Sequence, residues 1–179
     1  MALTVLLGGA RCGKSRLAVE LAAATGSSVT FVATAQARDR EMAKRIAAHR
    51  SERPSDWETV EEPYELEDAF ARVEGTNVVI VDCLSLWAAN VLERGDPPEL
   101  VLEGASRAAV AASTRAPLTI AVSNEVGLGV VPATPLGRAY RDVLGSINRS
   151  WVEESAVAAL VVAGRALLLS EAGALVARQ

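Results

Sequence analysis

Cysteine is scarce in this chain: Cys12 and Cys83 are the only two in 179 residues, too few for the disulfide framework of a small secreted domain. A reducing cytoplasm is the expected compartment. Basic excess is also lacking. Eighteen Lys and Arg stand against 22 Asp and Glu, a formal charge of −4, so no basic field of the kind that duplex nucleic acid requires is present. Nucleic acid is therefore not an expected partner. Apolar runs are short: 78–81 and 157–163 are among the longest, far below the roughly 20 residues of a membrane span. Residues 1–7 lead straight into a glycine loop, without the basic, apolar and cleavage regions of a signal peptide. Internal repeats are missing too. What the chain does have is apolar mass, half of its residues, enough for a single domain over 1–179 to bury a core without disulfides or structural metal.

The apolar residues fall into runs that alternate with helical spacing. Residues 3–7, a β-branched and leucine run ending in glycines, read as a buried parallel strand feeding a turn. Over 14–24, Leu17, Ala18, Leu21 and Ala22 recur at helical spacing, and Thr25-Gly26 is a stop. A second strand is predicted at 28–33, then a polar helix over 38–50 with Met42, Ile46 and His49 on its period, ended by Pro54. Further strands are predicted at 78–81 and 118–122, and a last pair at 156–163 and 166–169 around Gly164-Arg165. Residues 97–114 read as a loop entering an alanine-rich helix, and the acidic clusters at 58–67 and 93–99 as solvated surface or nucleotide-side loops. Strands apolar on both faces, alternating with helices, argue for an α/β fold with a mostly parallel sheet covered on both sides. Ligands of such sheets bind at the carboxyl ends of the strands.

At the first of those ends stand Gly8, Gly9, Ala10, Arg11, Cys12, Gly13, Lys14 and Ser15, the P-loop pattern of glycine, four residues and Gly-Lys-Ser between a strand and a helix. Backbone N–H groups and the positive end of the helix dipole then converge on the β-phosphate of ATP or GTP. Lys14 is expected on the β/γ oxygens and Ser15 on Mg2+. Cys12 reads as a small residue filling the loop, although a helix N-terminus can activate a thiol. Asp82 closes the run 78–81, where a P-loop protein carries a second carboxylate that supports the metal. The alternative for Asp82 is a cap on the following turn. Asn124 and Glu125, at another strand end, either hold their loop or face the cleft.

His49 is the single histidine, near the end of the second helix and among Arg45, Arg50 and Arg53. Arginines this dense suit a polyanion. A lone histidine is more often a structural or surface residue than a catalyst; the other reading is that a neutral imidazole, a nucleophile near pH 7, attacks a nucleotide α-phosphate. Arg50 and Arg53 would neutralise charge in that step. Two other readings of the same residues stand beside this one: a P-loop kinase for a different small alcohol, and a nucleotide-dependent switch without catalysis.

Taken in order, several blocks resemble the bifunctional adenosylcobinamide kinase/adenosylcobinamide-phosphate guanylyltransferase family of cobalamin biosynthesis. They are the loop from Gly8 to Arg16, Ala33-Thr34-Ala35, Asp39 with Glu41-Met42, and Arg45-Ile46 with His49-Arg50, Arg53-Pro54 and Trp57. Thr59-Val60-Glu61, Val81-Asp82-Cys83-Leu84-Ser85-Leu86-Trp87 with Asn90, and Val122-Ser123-Asn124-Glu125-Val126-Gly127-Leu128-Gly129-Val130-Val131-Pro132 follow, and Arg141-Asp142, Gly145 and Asn148 complete the match. The resemblance implies a RecA-like P-loop fold and two reactions. ATP or GTP phosphorylates the aminopropanol hydroxyl of adenosylcobinamide, and GMP from GTP is then transferred to that phosphate, giving adenosylcobinamide-GDP and pyrophosphate. It implies a covalent GMP-histidine at His49, Mg2+ as cofactor, and a homo-oligomer, a trimer. The nucleotide contacts it implies are the loop from Gly8 to Ser15, then Ala33, Thr34, Ala35, Arg50, Ser51, Glu52, Arg53, Glu61 and Asp82. Two departures stand out: Cys12 replaces the usual serine, and residues 170–179 extend past the last strand of relatives. Trp57 and Trp87 read as packing residues, the alternative being a ring face for a base or the corrin.

Overall fold

The structure, a computed structural model, describes residues 2–170. The chain runs β1 (Leu3–Gly8), α1 (Lys14–Ala23), β2 (Val29–Ala33), α2 (Arg40–Ser51), β3 (Glu58–Glu61), α3 (Leu66–Arg72) and β4 (Val78–Asp82). It continues through α4 (Leu84–Arg94), α5 (Pro98–Thr114), β5 (Thr119–Asn124), α6 (Pro135–Glu153), β6 (Val157–Val162) and β7 (Arg165–Leu168). The seven strands form one sheet in the order β3-β2-β4-β5-β1-β6-β7, parallel except for β7, which returns antiparallel on β6. The expected mostly parallel α/β sheet is what forms. The segment 171–179, read above as an extension, lies outside the described residues.

Alternation along each central strand divides the core in two, because successive side chains point to opposite faces. Val5, Leu7, Val79 and Val81 pack with Leu66, Phe70, Leu84, Trp87, Leu144, Ile147 and Trp151 of α3, α4 and α6, together with the alanine seam Ala105, Ala108, Ala109 and Ala112 of α5. Leu6, Val78, Ile80, Ile120 and Val122 face the other way, onto Ala18 and Ala22 of α1. Small residues on α1 let that helix approach the sheet closely, and those on α5 let it pack against α3 and α6. Trp87 is core, and Trp57 lies partly buried at the edge of the second cluster.

Several elements differ from the expectation, among them α4 and α6, for which no helix was predicted. The acidic stretch 58–67 is not a loop: Glu58–Glu61 pairs in parallel with β2 as an edge strand, where a charged face is tolerated because nothing covers it. Leu66–Arg72 then forms α3 on three buried apolar residues. The whole of 98–114 is helix, since Pro98 falls at the first helical position, where its missing N–H costs nothing. The strand expected at 118–122 begins at Thr119 and runs on through Ser123 and Asn124. Finally, β3 and β7 are edge strands, so the rule of two apolar faces holds only for the central strands.

Candidate active site

β1 ends at Gly8 and α1 starts at Lys14, and the residues between them wrap the head of the helix. Gly13, the N-cap of α1, has φ of 102°, and no side chain caps the helix. The first N–H groups of α1 therefore remain available to an anion. The loop is braced from behind by the β6–β7 turn, whose Gly164 N–H donates to the Cys12 carbonyl at 2.8 Å. Lys14 is buried at 6 % exposure, and its Nζ donates to the carbonyls of Gly8 (2.9 Å) and Gly9 (2.7 Å) and to Asn124 Oδ1 (2.9 Å).

Asp82 reaches the same place from β4, two strands away from β1 in the sheet. Its carboxylate lies near the Ser15 hydroxyl and feels the charges of His49, Lys14 and Arg53; burial nonetheless pushes its pKa up from the usual carboxylate range. The strand end is fixed by Thr34, whose Oγ1 donates to the Cys83 carbonyl and accepts from the Cys83 N–H, both at 2.8 Å. Among the described residues, no group of three acidic, histidine or cysteine side chains could hold a metal alone. Ser15 and Asp82 are instead a pair of hard oxygen donors, the set that suits Mg2+ when phosphate oxygens and water complete its shell.

α2 brings His49. Asp39 caps the helix, accepting from the Met42 N–H at 2.7 Å, and Glu41 complements the dipole. Yet α2 buries none of its residues. Its far end is anchored by Arg53, whose guanidinium lies 3.6 Å over the Phe31 ring and whose Nε donates to the His49 carbonyl at 3.1 Å. Arg53 Nη1 is buried without a hydrogen-bond partner among the described residues, and burial lowers the pKa of the group. His49 is half exposed, with Nδ1 3.9 Å from Glu52 Oε2.

These parts meet in one cleft of about 440 Å3, lined by Ala10 to Arg16, Phe31, Ala33, Ala35, His49, Glu52, Arg53, Asp82 and Asn124 among others. An adjoining cavity of about 490 Å3 shares Ser15, Phe31, His49, Glu52, Arg53 and Asp82 with it. Other expected contacts do not line the cleft. Thr34 is fully buried and committed to Cys83. Arg50 and Ser51 are exposed, Ser51 bonding back to the Ala48 carbonyl. Glu61 sits at the end of edge strand β3, beside Ala33 in register, and Gly8 and Gly9 begin the loop with their carbonyls accepting from Lys14 Nζ. Conversely, Met42, Arg45, Ile46 and Phe31 line the cleft although none was among the expected nucleotide contacts. The signal for three of them was available: 42, 45, 46 and 49 share one helix face at spacings of three and four.

The chain is similar to known proteins on two scales. Solved structures resembling it are the flagellar accessory protein FlaH from Methanocaldococcus jannaschii (TM-score 0.51, 16 % identity, 94 % of this chain and 78 % of that one) and a type III secretion ATPase of pathogenic bacteria (TM-score 0.54, 15 % identity, 89 % and 50 %). Those likenesses speak for the fold alone. In sequence it is 44 % identical over 162 residues to the bifunctional adenosylcobalamin biosynthesis protein CobP of Pseudomonas aeruginosa, covering 89 % of this chain and 92 % of that protein. It is 36 % identical over 173 residues to CobU of Escherichia coli, covering 89 % and 95 %. The model of the family described as cobinamide kinase / cobinamide phosphate guanyltransferase matches residues 4–169, and with that span and those identities the chain belongs to that family.

Proposed function

We propose that this chain phosphorylates the aminopropanol hydroxyl of adenosylcobinamide with ATP or GTP, then transfers GMP from GTP to that phosphate through a guanylated His49. The observation that carries the reading is the shared cleft: one nucleophilic histidine faces the same cavity as the phosphate loop and Asp82. An ordinary kinase has no use for such a residue there.

In the first step the uncapped head of α1 and Lys14 bind the β- and γ-phosphates. Ser15 and Asp82 would hold Mg2+, which shares the phosphate charge when bound. The substrate hydroxyl oxygen forms a bond to the γ-phosphorus, the bond from γ-phosphorus to its bridging oxygen breaks, and the hydroxyl proton leaves to solvent.

In the second step the α-phosphorus of GTP is the electrophile. Nε2 carries the attacking lone pair when the proton sits on Nδ1, the nitrogen 3.9 Å from Glu52 Oε2. Nε2 forms the P–N bond as the α–β bridging P–O bond breaks, and pyrophosphate departs with the electron pair. The ring, now carrying a proton on Nδ1 and phosphorus on Nε2, is a cationic leaving group. An oxygen of cobinamide phosphate then attacks the α-phosphorus, the P–N bond breaks, and neutral imidazole is regenerated. Arg53, held over Phe31 with an unpaired Nη1, is the donor suited to the developing charge. Mass spectrometry after incubation with GTP and Mg2+ tests this: one GMP on the tryptic peptide of His49 is expected, and an unmodified His49 with turnover intact overturns the covalent route.

A further inference from the structure

Lys14 is held by a chain of side chains whose direction is forced. A lysine ammonium has only donors, so the Asn124 atom 2.9 Å from Nζ is the side-chain oxygen. The Asn124 amide nitrogen consequently faces Ser85 Oγ, also at 2.9 Å, and Ser85 must accept there. Ser85 Oγ is itself held 2.9 Å from Cys83 Sγ, a contact in which either atom can donate. Ser85 is buried, so it has no water with which to exchange these roles. The backbone of Asn124 is pinned as well: its carbonyl accepts from Asn148 Nδ2 at 3.0 Å, and Asn148 Oδ1 accepts from Ser123 Oγ at 2.6 Å. Strand register puts Asn124 directly beside Gly8, the first glycine of the loop.

We propose that Asn124 is a positioning residue for Lys14, holding the ammonium at the mouth of the phosphate loop through an amide oriented by Ser85. This rests on Lys14 being the lysine that receives the nucleotide phosphates. The ammonium has three protons, and Gly8, Gly9 and Asn124 supply three oxygen acceptors. A phosphate oxygen must displace one of them. Exchange is easiest for a neutral acceptor on a side chain, since the two carbonyls belong to the loop itself and a carboxylate would bind the cation more strongly. Asn therefore positions Lys14 without capturing it, whereas Asp at the same place would compete with the nucleotide. Because α4 orients the Asn124 amide and α6 holds its backbone carbonyl at the end of β5, the lysine is referenced to the sheet and not only to its own loop.

The test is a double-mutant cycle on the full chain, read by calorimetric binding of ATP with Mg2+ and by ATP-dependent phosphorylation of cobinamide. Asn124→Ala is expected to weaken kcat/KM for ATP by at least about tenfold, the effect of losing one hydrogen bond to a charged group. Asn124→Ala in a Lys14→Ala background should cost nothing further, because Asn124 acts through that lysine. Asn124→Asp, which keeps the shape, should raise KM for ATP more than it lowers kcat. Independent, multiplying losses, or an Asn124→Ala protein within twofold of wild type, overturn the proposal while leaving the nucleotide site standing. Unchanged ATP binding in Lys14→Ala overturns the phosphate-loop reading and the proposal with it. Should Asn124→Ala fail to fold, Ser85→Ala enters the same cycle, with the same non-additivity expected and multiplication overturning it.

Discussion

Gly8 and Val161 approach so closely that a Cβ on Gly8 would stand 2.3 Å from the Val161 carbonyl oxygen. The first glycine of the loop is thus required by the neighbouring strand as well as by any phosphate. Gly9 differs, since nothing lies within 4 Å of its Cβ position. Gly8→Ala is expected to destabilise the chain by about 1–3 kcal/mol, the range for overpacking, and to disturb the loop. Gly9→Ala should melt within a degree or two of wild type. Thermal unfolding of the two variants checks this, and equal loss from both would show that crowding by β6 does not set the difference.

The two cysteines should behave as different chemical species. Cys83 is buried, and desolvation together with the nearby Asp82 pushes its pKa up to about 11. Cys12 is partly exposed in the loop. A thiol reagent at pH 8 should therefore label one cysteine per native chain and two in denaturant, and ATP with Mg2+ should protect the first. The sign for stability follows from the raised value. Below about pH 9 the Cys83 thiol is protonated whether folded or unfolded and has no pH effect. Between about pH 9 and 11 the unfolded state loses the proton first, so stability falls as pH rises. Cys83→Ala should flatten that part of the pH–stability curve, measured by denaturant midpoints.

How far the sequence carried can be read from particular elements. The strand, loop and helix around Lys14 were legible because each signals locally: a β-branched run, glycines at fixed offsets and a helical period. The edge strand Glu58–Glu61 was not, because its charged residues read as a loop until β2 is seen to supply the pairing. Helix α6 went unassigned: Gly137 and Gly145 interrupt its pattern, and the burial of Leu144, Ile147 and Trp151 that stabilises it is tertiary. His49 and Asp82 were each named from sequence. Their meeting in one cleft was not legible, since it depends on how α2, with no buried residue, is anchored at its two ends.

The segment between β5 and α6 exposes Leu128 at 85 %, Val130 at 94 % and Val131 at 66 %. Three large apolar side chains in four residues are costly to leave in water, so if the chain forms the homo-oligomer that the family resemblance implies, this loop is the surface to test. Val130→Asp should shift the population toward monomer in light scattering behind size exclusion, with the melting curve little changed at low concentration. An unaltered mass would remove this loop from the interface.

His49→Asn should separate the two proposed activities. The side chain is half exposed and makes no hydrogen bond of its own to the phosphate loop, so its loss leaves Lys14, Ser15 and Asp82 in place. With γ-labelled ATP, phosphorylation of cobinamide should persist within a few-fold of wild type. With α-labelled GTP, acid-labile label on the protein and transfer to cobinamide phosphate should vanish. Lys14→Ala should behave otherwise, lowering both activities about a hundredfold or more, the scale for removing one charged donor from a transition state. The contrast between the variants is what matters: equal loss of both activities in a folded His49→Asn protein would mean that the histidine serves the nucleotide site as a whole and carries no GMP of its own.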